Sequence, residues 1–157
     1  MIPLVVMLVA WGAFRLLAVT GRLPAARTAA GSLRLALAVM FAFTGVSHFL
    51  PTVRPDMVRM VPPGLPWPEH LVTLTGVLEL AGAVGLLIPR LAPLAAWALA
   101  ALLVAVFPAN VYAARAGLVV GGAAATPLVW RLPLQLLWIG ALLWVARAHR
   151  RTRTRLD

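Results

Sequence analysis

Five stretches of this chain run for about 15 to 24 residues with almost no charge: residues 2–20, 35–53, 70–89, 91–114 and 132–146. At about 1.5 Å of rise per residue, a helix of about 20 residues covers a hydrocarbon core ~30 Å thick. The last stretch is the shortest, but Arg131 and Arg147 at its ends can snorkel and extend it. Composition points the same way. The chain is 62% hydrophobic and 11% charged, with a mean hydropathy of +0.95, where a soluble domain carries about 25% charge. That leaves too little polar surface to cover a globule in water, so lipid is the expected solvent. The expected fold class is an all-α membrane protein in one bundle. The first stretch has neither a basic leading region nor a small-residue cleavage site, and Arg15 sits late in it. It is read as a retained transmembrane helix and not as a cleaved signal.

The charge is one-sided: 14 arginines, no lysine and a net +10. So basic a chain invites a nucleic-acid reading, but the arginines flank the apolar stretches instead of forming one stripe. Membrane orientation explains them better, and no nucleic-acid partner is expected. With the C-terminus inside, Arg54, Arg59, Arg115 and Arg131 fall outside and the other ten arginines inside. The N-terminus is then outside, and the basic tail 150–157 is cytoplasmic. Alanine- and arginine-rich, lysine-free usage hints at a GC-rich bacterial genome, hence a bacterial inner (plasma) membrane. With no cysteine, disulfides, thiolate catalysis and zinc–thiolate sites are excluded.

The connections differ in character. Residues 21–31 are short and basic. Residues 51–68 hold six prolines, which rule out a regular helix running through the segment. The same segment carries Val53, Met57, Met60, Val61, Leu65 and Trp67, a composition expected of a lid at the outer interface. Residues 115–130 are Gly/Ala-rich and expected to be flexible. Pro89-Arg90-Leu91 makes a tight turn, so the stretches either side of it should be antiparallel neighbours.

Glu79 is the one carboxylate inside 70–89. An ionised side chain at the bilayer centre costs roughly 2.5–3.5 kcal/mol or more, so such a residue faces protein or a water-filled cavity. Four other polar residues fall in the same half of the membrane on different helices: His48, Asn110, Arg131 and Gln135. Together with Trp67 at the mouth, these are the candidate ligand-binding residues of one outer-half cavity. Each has a structural alternative: an interfacial histidine, interhelical amide hydrogen bonds, a snorkelling arginine. Thr75, Glu79 and Ala83 share one helix face, and Gly76, Gly82 and Gly85 allow close helix approach. No nucleophile–base–orienter set and no metal constellation is visible. The three histidines, at 48, 70 and 149, cannot meet across the bilayer, so an enzyme is not the expected reading.

Several short motifs recur in order: Phe41-x-x-x-Gly45-x-x-His48-Phe49, Val61-Pro62-Pro63, Leu65-Pro66, Thr75-Gly76-Val77-Leu78-Glu79, Gly85-Leu86-Leu87-Ile88-Pro89-Arg90, Val106-Phe107-Pro108-Ala109-Asn110 and Arg131-Leu132-Pro133-Leu134-Gln135. This set resembles the DoxX-like family of small integral membrane proteins. The resemblance covers about residues 33 to 147. It implies a four-helix transmembrane bundle over 32–149, with residues 1–21 as an additional N-terminal transmembrane helix. For some members it also implies association with quinone-linked oxidoreductases or oxidative-stress complexes. The leading expectation is a non-catalytic membrane protein that binds a membrane lipid or a quinone in support of a membrane oxidoreductase partner. An assembly factor or subunit with a purely structural polar cluster is the alternative. A small proton-coupled transporter using Glu79 ranks below both, because no inverted repeat is visible.

Overall fold

The computed structural model describes the backbone of residues 2–153 and the side chains of residues 2–148; the side chains of the expected basic tail 150–157 and of His149 lie outside the described residues. Six α-helices appear in order: α1 (Ile2–Val19), α2 (Ala29–Ser47), α3 (Arg54–Met60), α4 (Pro68–Leu87), α5 (Ala92–Arg115) and α6 (Leu128–Arg153). All but α3 are long and apolar enough to cross a membrane. The chain is an all-helical integral membrane protein. Its spans alternate in direction, which puts two kinds of connection at opposite ends of the bundle. One end carries the Pro24–Ala26 turn and the sharp reversal at Ile88–Leu91. The other carries α3 and a two-residue hairpin, β1 (Val119–Val120) with β2 (Ala123–Ala124).

α2 is the central helix. It packs against α1, α4 and α6, and Leu33 through Ala38 form an unbroken buried run along it. Its start is set by Thr28, whose hydroxyl accepts from the Gly31 N–H at 2.9 Å and satisfies one of the donors left open at a helix N-terminus. In lipid, helices gain little from hiding apolar side chains, so association depends on close van der Waals contact through small residues. That contact is visible where α2 meets α4. A Cβ on Gly45 would stand 2.9 Å from the Leu80 side chain and 3.2 Å from the Gly76 carbonyl. A Cβ on Gly76 would stand 2.6 Å from the His48 Cβ. Such overlaps in a packed core cost roughly 1–3 kcal/mol. Phe41, Leu37, Leu86, Leu99, Leu142 and Val145 fill the interior between α2, α4, α5 and α6.

The structure adds to the sequence reading in three places. No regular helix runs through 51–68, but a short one, α3, forms within it, because the prolines frame it instead of filling it. Pro55 sits in the first turn, where no N–H is required, and Pro62 follows the end. The 115–130 segment is not featureless, since the hairpin folds back within it and Asp56 of α3 anchors it: Asp56 Oδ2 accepts from the Gly121 N–H at 2.7 Å. Arg34, counted above with the inner arginines, is buried at 3% exposure. It donates to the Leu86 carbonyl at 2.8 Å and the Leu87 carbonyl at 3.4 Å. These carbonyls at the end of α4 have no partner within the helix and sit at its negative pole, which a cation complements.

Candidate functional site

The polar residues expected from the sequence meet at the hairpin end of the bundle, and the helix ends explain how. α2 stops at Ser47, and His48 forms its last cap with helical backbone angles. The missing side chain at Gly76 lets the imidazole lie against α4. There His48 Nδ1 is 3.0 Å from the Val72 carbonyl and 3.3 Å from the Thr75 hydroxyl. One turn further along α4, Glu79 points at the same ring, with Oε1 3.8 Å from Nε2. Glu79 is 8% exposed, as its intramembrane position requires.

Arg54, at the head of α3, closes the ring from above. It donates to the His48 carbonyl at 3.1 Å, the Glu69 carbonyl at 3.1 Å and the Thr73 hydroxyl at 2.8 Å. His48 lies just outside the spanning helices. Burial holds its imidazole below the ordinary value, helped by the positive charge of Arg54 and opposed by its contact with the Val72 carbonyl.

From the other side come α5 and α6. Arg131 donates to the Asn110 side-chain carbonyl. Gln135, one turn deeper and 3% exposed, donates to the Leu103 main-chain carbonyl. Both helices carry an internal proline, Pro108 and Pro133, each of which removes a main-chain donor. Neighbouring side chains commonly re-satisfy such helices in a membrane. The electrostatic neighbours of Glu79 are the Thr44 hydroxyl on α2 and the Arg131 guanidinium on α6. His48, Glu79, Asn110, Arg131 and Gln135 are thus brought to one end of the bundle from four helices.

Two polar atoms in this cluster stand out. Glu79 Oε2 and Arg131 Nε are buried and have no hydrogen-bond partner among the described residues. Buried polar groups are almost always paired, so an unpaired acceptor and an unpaired donor in one cluster mark a place where a further polar group fits.

Trp67 stands apart from the others. It is 73% exposed at the head of α4, with left-handed backbone angles of φ 53° and ψ 57°. Two open apolar grooves of about 520 Å³ each flank the bundle. One runs between α1 and α6 past Met7, Trp11, Leu136 and Trp144. The other runs between α4 and α5 past Leu78, Leu94, Ala98 and Leu102. None of the six expected ligand residues lines either. Among the described residues, no group of three histidine or acidic side chains is placed to hold a metal.

Sequence reasoning missed two contributors. Arg54 read as an outer-loop charge, and Thr44 carries no motif of its own. The spacing signal for Arg54 was available only through its fold-back onto α4, across a proline-rich segment whose path the sequence leaves open.

Residues 37–146 match the model of a family described as a domain of unknown function (DUF8561), and the chain belongs to that family. The match runs from α2 into α6 and leaves α1 outside it. No curated protein and no solved structure matches the chain.

Proposed function

We propose that this member of the DUF8561 family is a non-catalytic inner-membrane protein that binds a small amphipathic molecule, a lipid or a quinone, at the Glu79–Arg131 cluster. The observation that carries this reading is the pair of buried, unpartnered atoms, Glu79 Oε2 and Arg131 Nε. A hydroxyl-bearing lipid head group offers a donor to Glu79 Oε2 and an acceptor to Arg131 Nε, and a quinone offers its carbonyls to Arg131 Nε. Bound there, the molecule would support a membrane oxidoreductase partner.

The arrangement we favour is DoxX-like: α2, α4, α5 and α6 as the four-helix core and α1 as an addition. The extent of the family match, which excludes α1, supports that division. The N-terminus lies outside and the C-terminus inside. Taking buried Arg34 and half-buried Arg131 out of the arginine comparison removes one from each side and leaves the bias intact. The cluster then sits in the outer half, beneath α3 and the hairpin.

A second reading has its own support. Arg131 with Asn110, and Gln135 with the Leu103 carbonyl, are direct contacts that hold α5 against α6, as a purely structural cluster in an assembly factor would require. Native mass spectrometry of the protein released with its own lipids separates the two. A lipid or quinone that co-purifies with the parent and is lost in Glu79→Leu supports the binding reading. A stoichiometric protein partner, with no small molecule in either sample, supports the structural one.

A further inference from the structure

The contacts around His48 constrain where its protons are. The Val72 carbonyl, 3.0 Å from Nδ1, can only accept. The Thr75 hydroxyl, 3.3 Å from the same atom, also lies 3.0 Å from the Leu71 and Val72 carbonyls, which offer its proton acceptors other than the ring. Its oxygen is then free to accept from Nδ1. The Val72 carbonyl requires Nδ1 to carry a hydrogen. In a neutral imidazole, Nε2 is then a bare acceptor, and it faces Glu79 Oε1 at 3.8 Å. An ionised carboxylate and a bare ring nitrogen facing each other are two acceptors with no proton between them. One proton between them satisfies both.

We propose that His48 and Glu79 form a one-proton site, in which a single proton is shared between His48 Nε2 and Glu79 Oε1 and is taken up and released by the pair as a unit. The separation of 3.8 Å is about 1 Å longer than a hydrogen bond. Sharing the proton requires the two side chains to approach by about that amount. The charged and polar groups facing the pair come from every packed element. Arg54 at the head of α3 and Arg131 on α6 are cationic. Thr44 on α2 lies beside the carboxyl, Thr75 on α4 lies beside the ring, and Asn110 on α5 engages Arg131. Two groups this close titrate together, and their midpoint belongs to the pair.

The site rests on the geometry of His48 and Glu79 and not on the identity of any bound molecule. Failure to find a co-purifying lipid or quinone would end the binding reading and leave this one standing. The test is solid-state NMR of the protein in bilayers, with ¹⁵N-labelled histidine and ¹³C-labelled glutamate, followed across pH. His48→Gln assigns the ring signals. The expected result is that Nδ1 stays protonated throughout, while Nε2 and the Glu79 carboxyl shift with one common midpoint. In Glu79→Gln that midpoint is lost from the His48 signals. A His48 ring protonated at Nε2 and bare at Nδ1 overturns the proposal. So does a His48 midpoint that is the same in the parent and in Glu79→Gln. The tautomer is read from the parent protein alone, so the proposal stays exposed to refutation even if a variant folds poorly.

Discussion

The two ends of the α2–α4 pair hold the same helices together by opposite means. At one end Arg34 of α2 reaches the last carbonyls of α4 and gives them the donors they lack. At the other end His48 of α2 reaches the first turns of α4, but Glu79 beside it keeps an acceptor unpaired, whereas the buried atom left unpaired at the first end is a donor, Arg34 Nε. Arg34 faces main-chain carbonyls, which cannot change charge. His48 and Glu79 face each other, and both can. A buried cation over a helix C-terminus is a fixed latch whose removal leaves carbonyls without donors. A buried acid with an open oxygen is a poor latch, and such arrangements persist where function needs them. Charge inside a membrane is therefore not a single category, and what it faces decides its role.

The largest effect is expected at the latch. Arg34→Leu keeps the volume and removes the donors, stranding the Leu86 carbonyl in a buried place. A hydrogen bond to a charged group is worth about 1.5–3 kcal/mol, and an orphaned buried acceptor adds to the loss. We expect about 3 kcal/mol of destabilisation in denaturant titrations in detergent, with co-purifying small molecules unchanged in the fraction that folds. A variant as stable as the parent would mean that α4 ends without needing Arg34.

Next comes the contact that both ends depend on. Gly76→Ala places a methyl group against the His48 Cβ, with the Phe49 ring 2.9 Å away. The helices must part or the histidine must turn, at a cost of about 2 kcal/mol. This variant sharpens the comparison, because it should also withdraw Nδ1 from the Val72 carbonyl and disturb the cluster, whereas Arg34→Leu should leave the cluster alone. A His48 ring signal identical to the parent's would show that the close approach serves packing only.

Glu79→Leu should move stability less than either, within about 1 kcal/mol of the parent. The carboxyl has one oxygen unpaired, so its removal recovers a burial cost, and Arg131 keeps the Asn110 side-chain carbonyl as a partner. Association with a lipid or quinone should nevertheless be lost. Destabilisation as large as that of Arg34→Leu would make the cluster a second latch and remove the contrast between the two ends.

Much of this was legible from residue order. The five spans follow from run length, the burial of Glu79 from the cost of charge in lipid, and the close approach at Gly76 from small residues around an acid. Asn110, Arg131 and Gln135 could be placed on one level by counting along helices. What stayed hidden depended on chain paths between spans. Arg34 sits near a helix start, where counting alone cannot separate an arginine that snorkels to water from one that turns inward to cap another helix. Proline content argued against helix in 51–68, but it is the position of a proline within a turn, and not the number, that decides. Trp67 looked like the mouth of a cavity because it is large and apolar. The left-handed turn at its own backbone instead leads the chain into α4 with the ring outward.

The smallest effect is expected above the cluster, where α3 and the hairpin meet. Asp56 accepts from Arg59 at 2.5 Å and from the Gly121 N–H at 2.7 Å, and Arg59 also reaches the Val119 carbonyl at 3.4 Å. The Arg59 side chain is largely solvent-exposed, so its pair with Asp56 contributes little, about 0.5 kcal/mol or less. The Gly121 contact differs, because it is the shorter of the two ties between segments far apart in sequence. Gly121 and Gly122 both have positive φ, 59° and 80°, so the hairpin turn needs its glycines and gains its position from Asp56. Asp56→Ala should therefore leave global stability nearly unchanged while raising hydrogen exchange across residues 118–125 severalfold. The spanning helices should exchange as in the parent. If the hairpin exchanges as slowly without Asp56 as with it, the cover over the cluster is held by its own turn, and the Asp56 contacts only follow it.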